Sequence, residues 1–319
     1  MIFKNAIEKI YKKNIFVRCD DSGLVFYFSA KDFPGLNSKE YSFPSCKGHT
    51  LKGNFYWYEN PIKNRLIIFD HGHGGGHLSY MKEIELLAKK GYLVFSYDHT
   101  GCMLSGGESS NGLTQSLVDL NDCMNALKNE EYFTDFTFSV IGHSWGAFST
   151  LNILALHPYI KHVIPISGFV SVWEMVKQNF PGILSLWRKD IYKLEERTNP
   201  DFVKYNAVET LKNTSANVLL IYSEDDPMVK KECHYDLLYS ALKDKPNVEF
   251  VLEKNKAHNP NYTSDAVKYK DEFVAELSKY NDHERTNKEK EEFKARFDWE
   301  RMTLQDEKVW EKIYNTLEK

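Results

Sequence analysis

The sequence predicts an α/β fold in which helices cover a doubly wound, mostly parallel sheet, and two features of the chain lead to this. Short, continuous apolar runs recur through its middle, and a segment with helical spacing of apolar residues separates most of them. Uninterrupted runs of this length are typical of strands buried on both faces of a parallel sheet. Repeated alternation of strand and helix is the pattern of a doubly wound domain. The predicted strands are 66–69, 92–95, 138–141, 162–166, 218–221 and 248–251.

The predicted helices fill the intervals between these strands or follow the last of them. In residues 79–90, Met81, Ile84 and Leu87 recur at helical spacing, and Gly91 follows as a residue common just after helix C-termini. Apolar residues recur in the same way in the other segments. The predicted helices are 79–90, 113–129, 147–157, 230–242 and 264–280.

The N-terminal part of the chain is predicted to be an extension of the main domain. Residues 1–40 contain an amphipathic helix over 1–14 and a hairpin over 15–28, in which two apolar runs flank a turn-forming D-D-S-G. Residues 41–280 form the α/β domain, which begins with a pair of strands over 41–58.

Two further segments fall outside the alternation. Residues 169–213 have no clear strand and combine aromatic residues with helix breakers at Pro181, Gly182 and Pro200, which predicts an inserted helical cap. Residues 281–319 are highly charged, with apolar residues every three or four positions. This spacing predicts an amphipathic helical tail packed on the domain or on a partner, and it permits a homodimer through the tail.

Composition excludes several classes of protein. Of the 319 residues, 42% are hydrophobic, enough for a sizeable core, and the net charge of −4 lacks the basic excess of a nucleic-acid binder. No stretch approaches the roughly 18 apolar residues of a membrane span. The N-terminus lacks the apolar centre and cleavage site of a signal peptide. The five cysteines form no C-x-x-C pair, which favours reduced thiols and a cytoplasmic location.

The segment G-H-S-W-G at residues 142–146 joins a predicted strand to a predicted helix. In this setting, the pattern G-x-S-x-G is typical of a nucleophile elbow, with a simple tight turn as the alternative. The serine occupies a strained turn, and the glycines avoid Cβ atoms where strand and helix crowd together. We therefore expect the Ser144 hydroxyl at the carboxyl edge of the sheet, with the Trp145 N–H facing a developing oxyanion.

With this elbow and other segments, the sequence resembles the α/β-hydrolase family over about residues 41–280. The D-H-G-H-G-G-G-H at 70–77 directly follows a predicted strand and is similar to the family's HG-x-G oxyanion loop. The resemblance implies that the His73 N–H completes the oxyanion hole. A metal bound by His71, His73 and His77 is the alternative for this loop. A phosphate cradle is less favoured because no Gly-Lys-Ser/Thr follows the glycines.

The resemblance also implies the other members of a catalytic triad, because the acid follows the serine in the chain and the histidine comes last. The segment Y-S-E-D-D-P-M-V at 222–229 is similar to the family's G-x-x-D-x-x-V, which makes Asp226 the acid, with Asp225 as the alternative. His258 follows the last predicted strand and would take the serine proton. The segment at 98–107 is similar to a supporting D-x-x-G-x-G-x-S loop, with Met103 at a usual glycine position.

The implied activity is that of a serine hydrolase that cleaves a carboxylic ester, or a related acyl bond, through an acyl-enzyme on Ser144. It requires no metal or organic cofactor, and its partner is a small-molecule acyl substrate. An acyltransferase or a peptidase would use the same residues, and a non-catalytic binding protein of the same fold is a further alternative. The cap aromatics Trp173, Phe180 and Trp187 are expected to line an apolar substrate pocket, with ordinary cap core as the alternative.

Overall fold

The structure is a computed structural model that describes residues 2–280 and 285–319. Its strands form one eight-stranded sheet in the order β1-β2-β4-β3-β5-β6-β7-β8. β1 and β2 pair antiparallel, as do β2 and β4, and all the other neighbours are parallel. Each of the six predicted parallel strands is present, and so is the predicted strand pair at 41–58. The strands are β1 Asn37–Pro44, β2 Thr50–Trp57, β3 Arg65–Asp70, β4 Leu93–Tyr97, β5 Thr137–His143, β6 His162–Ile166, β7 Asn217–Ser223 and β8 Val248–Glu253.

Helices cover both faces of the sheet. Further helices precede the first strand and follow the last one. All five helices predicted for the domain are present, although α4 ends at Asn152 and continues only as a short 3₁₀ turn. The helices are α1 Ile2–Ile15, α2 Met81–Lys89, α3 Gln115–Asn129, α4 Trp145–Asn152, α5 Val172–Asn179, α6 Arg188–Thr198, α7 Ala207–Lys212, α8 Tyr235–Leu242, α9 Ser264–Tyr280, α10 Asn287–Lys294, α11 Trp299–Met302 and α12 Glu307–Leu317. Among the described residues, none of these helices is both long and apolar enough to cross a membrane.

The sheet separates two hydrophobic clusters, which explains why its strands are continuously apolar. Along β3, Leu66 and Ile68 belong to the cluster that contains α3 and α4, whereas Ile67 and Phe69 belong to the cluster that contains α2 and α12. Successive strand residues point to opposite faces, so a strand covered on both sides must be apolar at every position. All four of these side chains are 1% exposed or less.

The cap lies between β6 and β7 and is helical, as the sequence predicts. It consists of α5, a 3₁₀ segment at Gly182–Trp187, α6 and α7. The Ser171 side chain accepts a hydrogen bond from the Glu174 N–H and caps the first turn of α5. Pro181 lies between α5 and the 3₁₀ segment and cannot continue a helix because it lacks an N–H.

The predicted hairpin at 15–28 is wrong. After α1 the chain continues without a strand as far as residue 36, and the backbones of Val17 and Cys19 bond to a distant loop and not to residues 24–28. Cys19 N–H donates to the Gly101 carbonyl at 2.8 Å, and Ser110 N–H donates to the Val17 carbonyl at 2.9 Å. The apolar residues of the second predicted strand do not share one face of a sheet. Leu24 and Phe28 pack into different hydrophobic clusters.

The C-terminal tail is helical and packs on the domain. Residues 281–284 of the predicted tail lie outside the described residues. Val309, Trp310, Ile313 and Leu317 of α12 lie in the cluster on the α2 face of the sheet, each 2% exposed or less. The apolar face of α12 is therefore covered by its own chain.

Candidate active site

The elbow between β5 and α4 has the strained geometry that its motif predicts. Ser144 has φ 56° and ψ −110°, in a region of backbone space that non-glycine residues rarely adopt. Its N–H donates to the Ile166 carbonyl at 2.8 Å, which ties the turn to the neighbouring strand. A Cβ on Gly146 would meet the backbone carbonyl of Asp70, and one on Gly142 would meet that of Gly146. Both positions therefore require glycine, because neighbouring backbone atoms lie too close to leave room for a Cβ.

Ser144, His258 and Asp226 form a continuous hydrogen-bonded chain. His258 Nε2 lies 2.8 Å from Ser144 Oγ, and His258 Nδ1 lies 2.8 Å from Asp226 Oδ2. The Asp226 side chain is fully buried, whereas the His258 side chain is 20% exposed. The second carboxylate oxygen of Asp226 accepts the N–H groups of Met228 and Val229 at 2.8 and 2.9 Å. These bonds fix the carboxylate against the imidazole.

Asp225, the alternative acid, contacts the backbone of the loop that carries His258, between β8 and α9, and not the imidazole of His258. We call this loop the histidine loop. Its carboxylate accepts the backbone N–H groups of Lys256 and Ala257 at 3.3 and 3.2 Å, and the Ser223 hydroxyl at 2.6 Å. Burial opposes ionisation, but the hydrogen bonds from Ser223 and the two backbone groups lower the pKa of Asp225 below its usual value. The two adjacent carboxylates thus bind different parts of one loop.

The side chains of Trp145 and His73, whose backbone N–H groups are the predicted oxyanion donors, pack edge to face with ring centroids 5.2 Å apart. The Ser144 carbonyl accepts hydrogen bonds from Ala147 N–H and Phe148 N–H, at 3.1 and 3.0 Å. These bonds begin α4 and do not involve Trp145 N–H. Within the described part of the chain, neither Trp145 N–H nor His73 N–H has an acceptor. Both therefore remain available to a ligand, and Trp145 occupies the first turn of α4, where the helix dipole favours negative charge.

The three histidines of the oxyanion loop do not converge on one point. His71 Nδ1 donates to the Gly72 carbonyl at 2.7 Å, and His73 Nε2 lies 3.1 Å from the Ile15 carbonyl. His77 bridges the Asp98 carboxylate and the Tyr56 hydroxyl at 2.7 and 3.0 Å. In residues 2–280 and 285–319, no group of three or more potential ligands is arranged to hold a metal ion.

His143, next to the nucleophile, links the oxyanion loop to the histidine loop. Its Nε2 lies 2.8 Å from the His258 carbonyl, and its Nδ1 lies 2.9 Å from the Tyr80 hydroxyl. Tyr80 in turn accepts the Gly72 N–H at 3.1 Å. Burial first, and then the nearby His258, hold the pKa of His143 well below its usual value, so the ring is neutral. No spacing in the sequence indicates the part played by Tyr80.

A buried ion pair beneath the elbow also escaped the sequence analysis. The His99 imidazole lies between Asp70 and Asp119, at 3.0 and 3.3 Å, and all three side chains are fully buried. Burial disfavours the charged imidazole, but the two carboxylates outweigh it and raise the pKa of His99 to about 10. Asp70 also accepts a hydrogen bond from Ser149 of α4. A protonated His99 therefore supplies one positive charge to the two carboxylates, of which Asp70 also contacts α4.

The predicted pocket residues lie mainly against other parts of the cap. Trp173 packs edge-on against Tyr192 of α6, with ring centroids 5.5 Å apart. Phe180 lies 6.2 Å from the ring of Tyr11 in α1 and packs on the main core. Trp187 is half-buried at the end of the 3₁₀ segment. The contacts of Trp173 and Phe180 favour ordinary cap core, and a pocket role for the three aromatics stays a prediction.

A mostly parallel sheet with helices on both faces, and a strained serine elbow between β5 and α4, define an α/β-hydrolase. Residues 61–258 match the family described as serine aminopeptidase, S33, and the chain belongs to this family. The matched range contains the oxyanion loop, the elbow and the cap, and its last residue is His258. It ends before α9 and the C-terminal tail.

Curated relatives share part of this sequence, and solved structures share its fold. The lysophosphatidylserine lipase ABHD12 of Rattus norvegicus is 25% identical over 190 residues, which cover 54% of this chain and 45% of the lipase. The chain thus spans about half the length of the curated relatives it matches. The Pyrococcus furiosus esterase Pf2001 aligns over 88% of this chain and 98% of its own, with a TM-score of 0.58 and 22% identity. The acylaminoacyl peptidase of Pyrococcus horikoshii aligns over 72% of this chain and 39% of its own, with a TM-score of 0.54 and 23% identity.

Proposed function

We propose that this protein is a serine hydrolase that cleaves a carboxylic ester through an acyl-enzyme on Ser144. The observation that carries the proposal is the chain of two 2.8 Å contacts from Ser144 Oγ through His258 to the buried Asp226. A serine activated by an oriented imidazole, on a strained elbow with open N–H groups beside it, is the arrangement that acyl transfer needs.

In the first step, Ser144 Oγ attacks the ester carbonyl while His258 Nε2 takes the hydroxyl proton. Asp226 keeps the Nδ1 hydrogen of His258 in place and stabilises the imidazolium as it forms. The N–H groups of Trp145 and His73 receive the negative charge of the tetrahedral oxygen, and loss of one such donor costs about 10²- to 10³-fold in rate. His258 then returns its proton to the departing alcohol.

In the second step, water replaces the alcohol. His258 takes a proton from the water as it attacks the acyl carbonyl. It then gives this proton to Ser144 Oγ as the bond between Oγ and the acyl carbon breaks, which releases a carboxylic acid and restores the Ser144 hydroxyl. Neither step calls for a metal or an organic cofactor. A peptidase would carry out the same steps on an amide, and an acyltransferase would admit an alcohol or amine in place of water.

An ester is placed first because the curated relative is a lysophosphatidylserine lipase, and the amide bond of a peptidase comes second because the family is described as serine aminopeptidase. Esters of short or medium acyl chains are the first substrates to test. A series of p-nitrophenyl esters of increasing chain length, compared with aminoacyl-naphthylamides, separates esterase from peptidase activity. Product analysis with added alcohols or amines detects acyl transfer.

A fluorophosphonate probe tests the nucleophile directly. We expect the wild-type protein to be labelled at Ser144, Ser144→Ala to lose labelling and ester hydrolysis, and Ser185→Ala in the cap to keep both. A folded wild-type protein that does not react with the probe would support the non-catalytic alternative. Labelling that survives Ser144→Ala would move the nucleophile elsewhere.

The homodimer and the cytoplasmic location stay predictions. The apolar face of α12 that suggested a dimer packs on the sheet of its own chain. Sedimentation of the purified protein over a range of concentrations tests for a dimer.

A further inference from the structure

The loop that carries His258 has a strained backbone. Asn255 and Ala257 both have positive φ, at 57° and 43°. Asparagine tolerates this left-handed region, but alanine pays a steric cost there because its Cβ crowds the backbone. Strain of this kind persists only where surrounding contacts hold the chain in place. Lys256 lies between the two strained residues and immediately precedes the one that leads into His258.

The side chain of Lys256 is held by the C-terminal tail. Its ammonium group donates to Asp306 Oδ2 at 2.6 Å and to the Tyr262 carbonyl at 2.5 Å, and the residue is 5% exposed. Partial burial opposes the ionisation of Asp306, but the hydrogen bond and the charge of the Lys256 ammonium lower the pKa of Asp306 below its usual value. Asp306 therefore stays charged near neutral pH. Removal of one partner of a buried pair leaves an uncompensated charge.

The backbone of the tail also pairs with the chain that follows His258. Thr263 N–H donates to the Leu304 carbonyl at 3.0 Å, and Asp306 N–H donates to the Asn261 carbonyl at 2.8 Å. Between them, Tyr262 and Gln305 form an isolated antiparallel bridge. We call residues 304–306 the tail strap.

The tail strap is itself fixed to the core of the domain. The Gln305 side-chain oxygen accepts hydrogen bonds from Asn261 Nδ2 at 2.8 Å and from Trp310 Nε1 at 2.9 Å. Trp310 is 2% exposed and belongs to the cluster on the α2 face of the sheet. The strap thus connects the packed helix α12 to the loop of His258.

We propose that the tail strap is a positioning part of the active site, in which Asp306 acts through Lys256 to keep His258 within reach of Ser144. The inference rests on the proposed function of the triad. It goes beyond the family because the tail lies outside the matched residues 61–258. Asp306 does not contact the reacting atoms, so its effect reaches the chemistry only through the loop.

The variant Asp306→Asn tests this role and preserves the helix cap that the residue also provides. Asp306 Oδ1 also accepts the Lys308 N–H at 3.0 Å and caps α12. Asparagine caps helices about as well as aspartate, so the variant removes the charge that faces Lys256 but keeps the cap. Asp298→Asn is the matched control, because Asp298 caps α11 through the Arg301 N–H at 3.0 Å and is exposed.

In Asp306→Asn we expect kcat for a p-nitrophenyl ester to fall about tenfold, with KM changed less than about twofold, because misplacement of a catalytic group costs rate more than binding. The rate of fluorophosphonate labelling should fall in parallel. Asp298→Asn should match the wild type in both. Lys256→Met should lower kcat as much as Asp306→Asn does, and the double variant should show no further loss if the two residues act as one unit.

Amide hydrogen exchange over residues 255–260 gives a readout that is independent of activity. Protection there should fall in Asp306→Asn and not in Asp298→Asn. Wild-type kcat and protection in Asp306→Asn would overturn the role of the strap alone, because wild-type labelling at Ser144 would still support the hydrolase. Loss of loop protection in Asp306→Asn, together with a wild-type protein that never labels, would overturn the catalytic role and leave only a structural contact. If Asp306→Asn does not fold, Lys256→Met carries the same measurements.

Discussion

His143 Nε2 donates a hydrogen bond to the backbone carbonyl of His258 over 2.8 Å. A carbonyl can only accept, so the hydrogen must lie on Nε2 of His143, and Nδ1 is left to accept the Tyr80 hydroxyl at 2.9 Å. His143, which precedes the nucleophile, thereby holds in place His258, which would take the proton of Ser144. Tyr80 extends the same connection to Gly72 of the oxyanion loop.

Tyr80→Phe should weaken this connection, although all three side chains of the triad remain present. The variant leaves His143 Nδ1 and Gly72 N–H without their partner, which we expect to cost about 1–2 kcal/mol of stability. It should also lower kcat/KM for an ester about tenfold through misplacement of His258 and the oxyanion loop. Thermal denaturation and steady-state kinetics measure the two effects.

Tyr314→Phe is the control for Tyr80→Phe. Tyr314 donates to the Leu86 carbonyl at 3.3 Å on α2, and it belongs to α12 and not to the site. It should leave kcat/KM at the wild-type value. Equal activity of the two variants would show that the Tyr80 hydroxyl does not position the site.

His99→Gln should destabilise the protein strongly, because it leaves Asp70 and Asp119 buried without a cation. Loss of one partner of such a group costs about 3–5 kcal/mol. Urea denaturation at pH 7 measures this loss. A variant as stable as the wild type would contradict a charged His99.

The same residue predicts a dependence of stability on pH. The pKa of His99 is raised from 6.5 in the unfolded chain to about 10 in the fold. The folded state binds the extra proton between these values, so the stabilisation is fully present below pH 6.5 and is lost as the pH rises through 10. The free energy of unfolding of the wild type should fall over this range, and His99→Gln should remove the decline.

Glu195 predicts that the stability of the protein also depends on pH in a range below that of His99. It is fully buried in α6, and burial raises its pKa from 4.5 to about 7, although hydrogen bonds from Tyr11 and from the backbone of Leu113 and Thr114 oppose the shift. The folded state keeps the proton that the unfolded chain releases above pH 4.5. Its contribution to stability is therefore present below 4.5 and is lost as the pH rises through 7.

Glu195→Gln tests this assignment. The glutamine oxygen can still accept the Tyr11 hydroxyl and the Leu113 N–H, which lie 2.7 and 3.1 Å from the carboxylate, and it carries no charge. We expect the variant to be more stable than the wild type at pH 8 and equal to it at pH 4.5. Glu196→Gln, next to it on the exposed face of the helix, should leave the pH profile of denaturation unchanged.

The features that local sequence predicts are the strands and the elbow. A strand buried on both faces must be apolar at every position, and a serine elbow needs glycines where α4 meets the sheet, so both leave short patterns. Asp306 and Lys256 are 50 residues apart, and nothing near either of them marks the other as its partner. The ion pair of His99 with Asp70 and Asp119 is equally non-local. The prediction of a hairpin at 15–28 failed for the same reason, since Val17, Arg18 and Cys19 bond to a loop some 85 residues further along, as in the pairing of Arg18 with Met103.

The two adjacent aspartates allow a test of the acid. Asp226→Asn should lower kcat for ester hydrolysis about 10⁴-fold, because an amide beside Nδ1 favours the wrong imidazole tautomer and cannot stabilise the imidazolium. Asp225→Asn should have a much smaller effect, since Asp225 binds the backbone of Lys256 and Ala257 at 3.3 and 3.2 Å, and the asparagine oxygen can keep part of this contact. Steady-state kinetics on one p-nitrophenyl ester ranks the two variants. The opposite ranking would make Asp225 the acid, and His258 would then have to turn from its 2.8 Å contact with Asp226 to reach it.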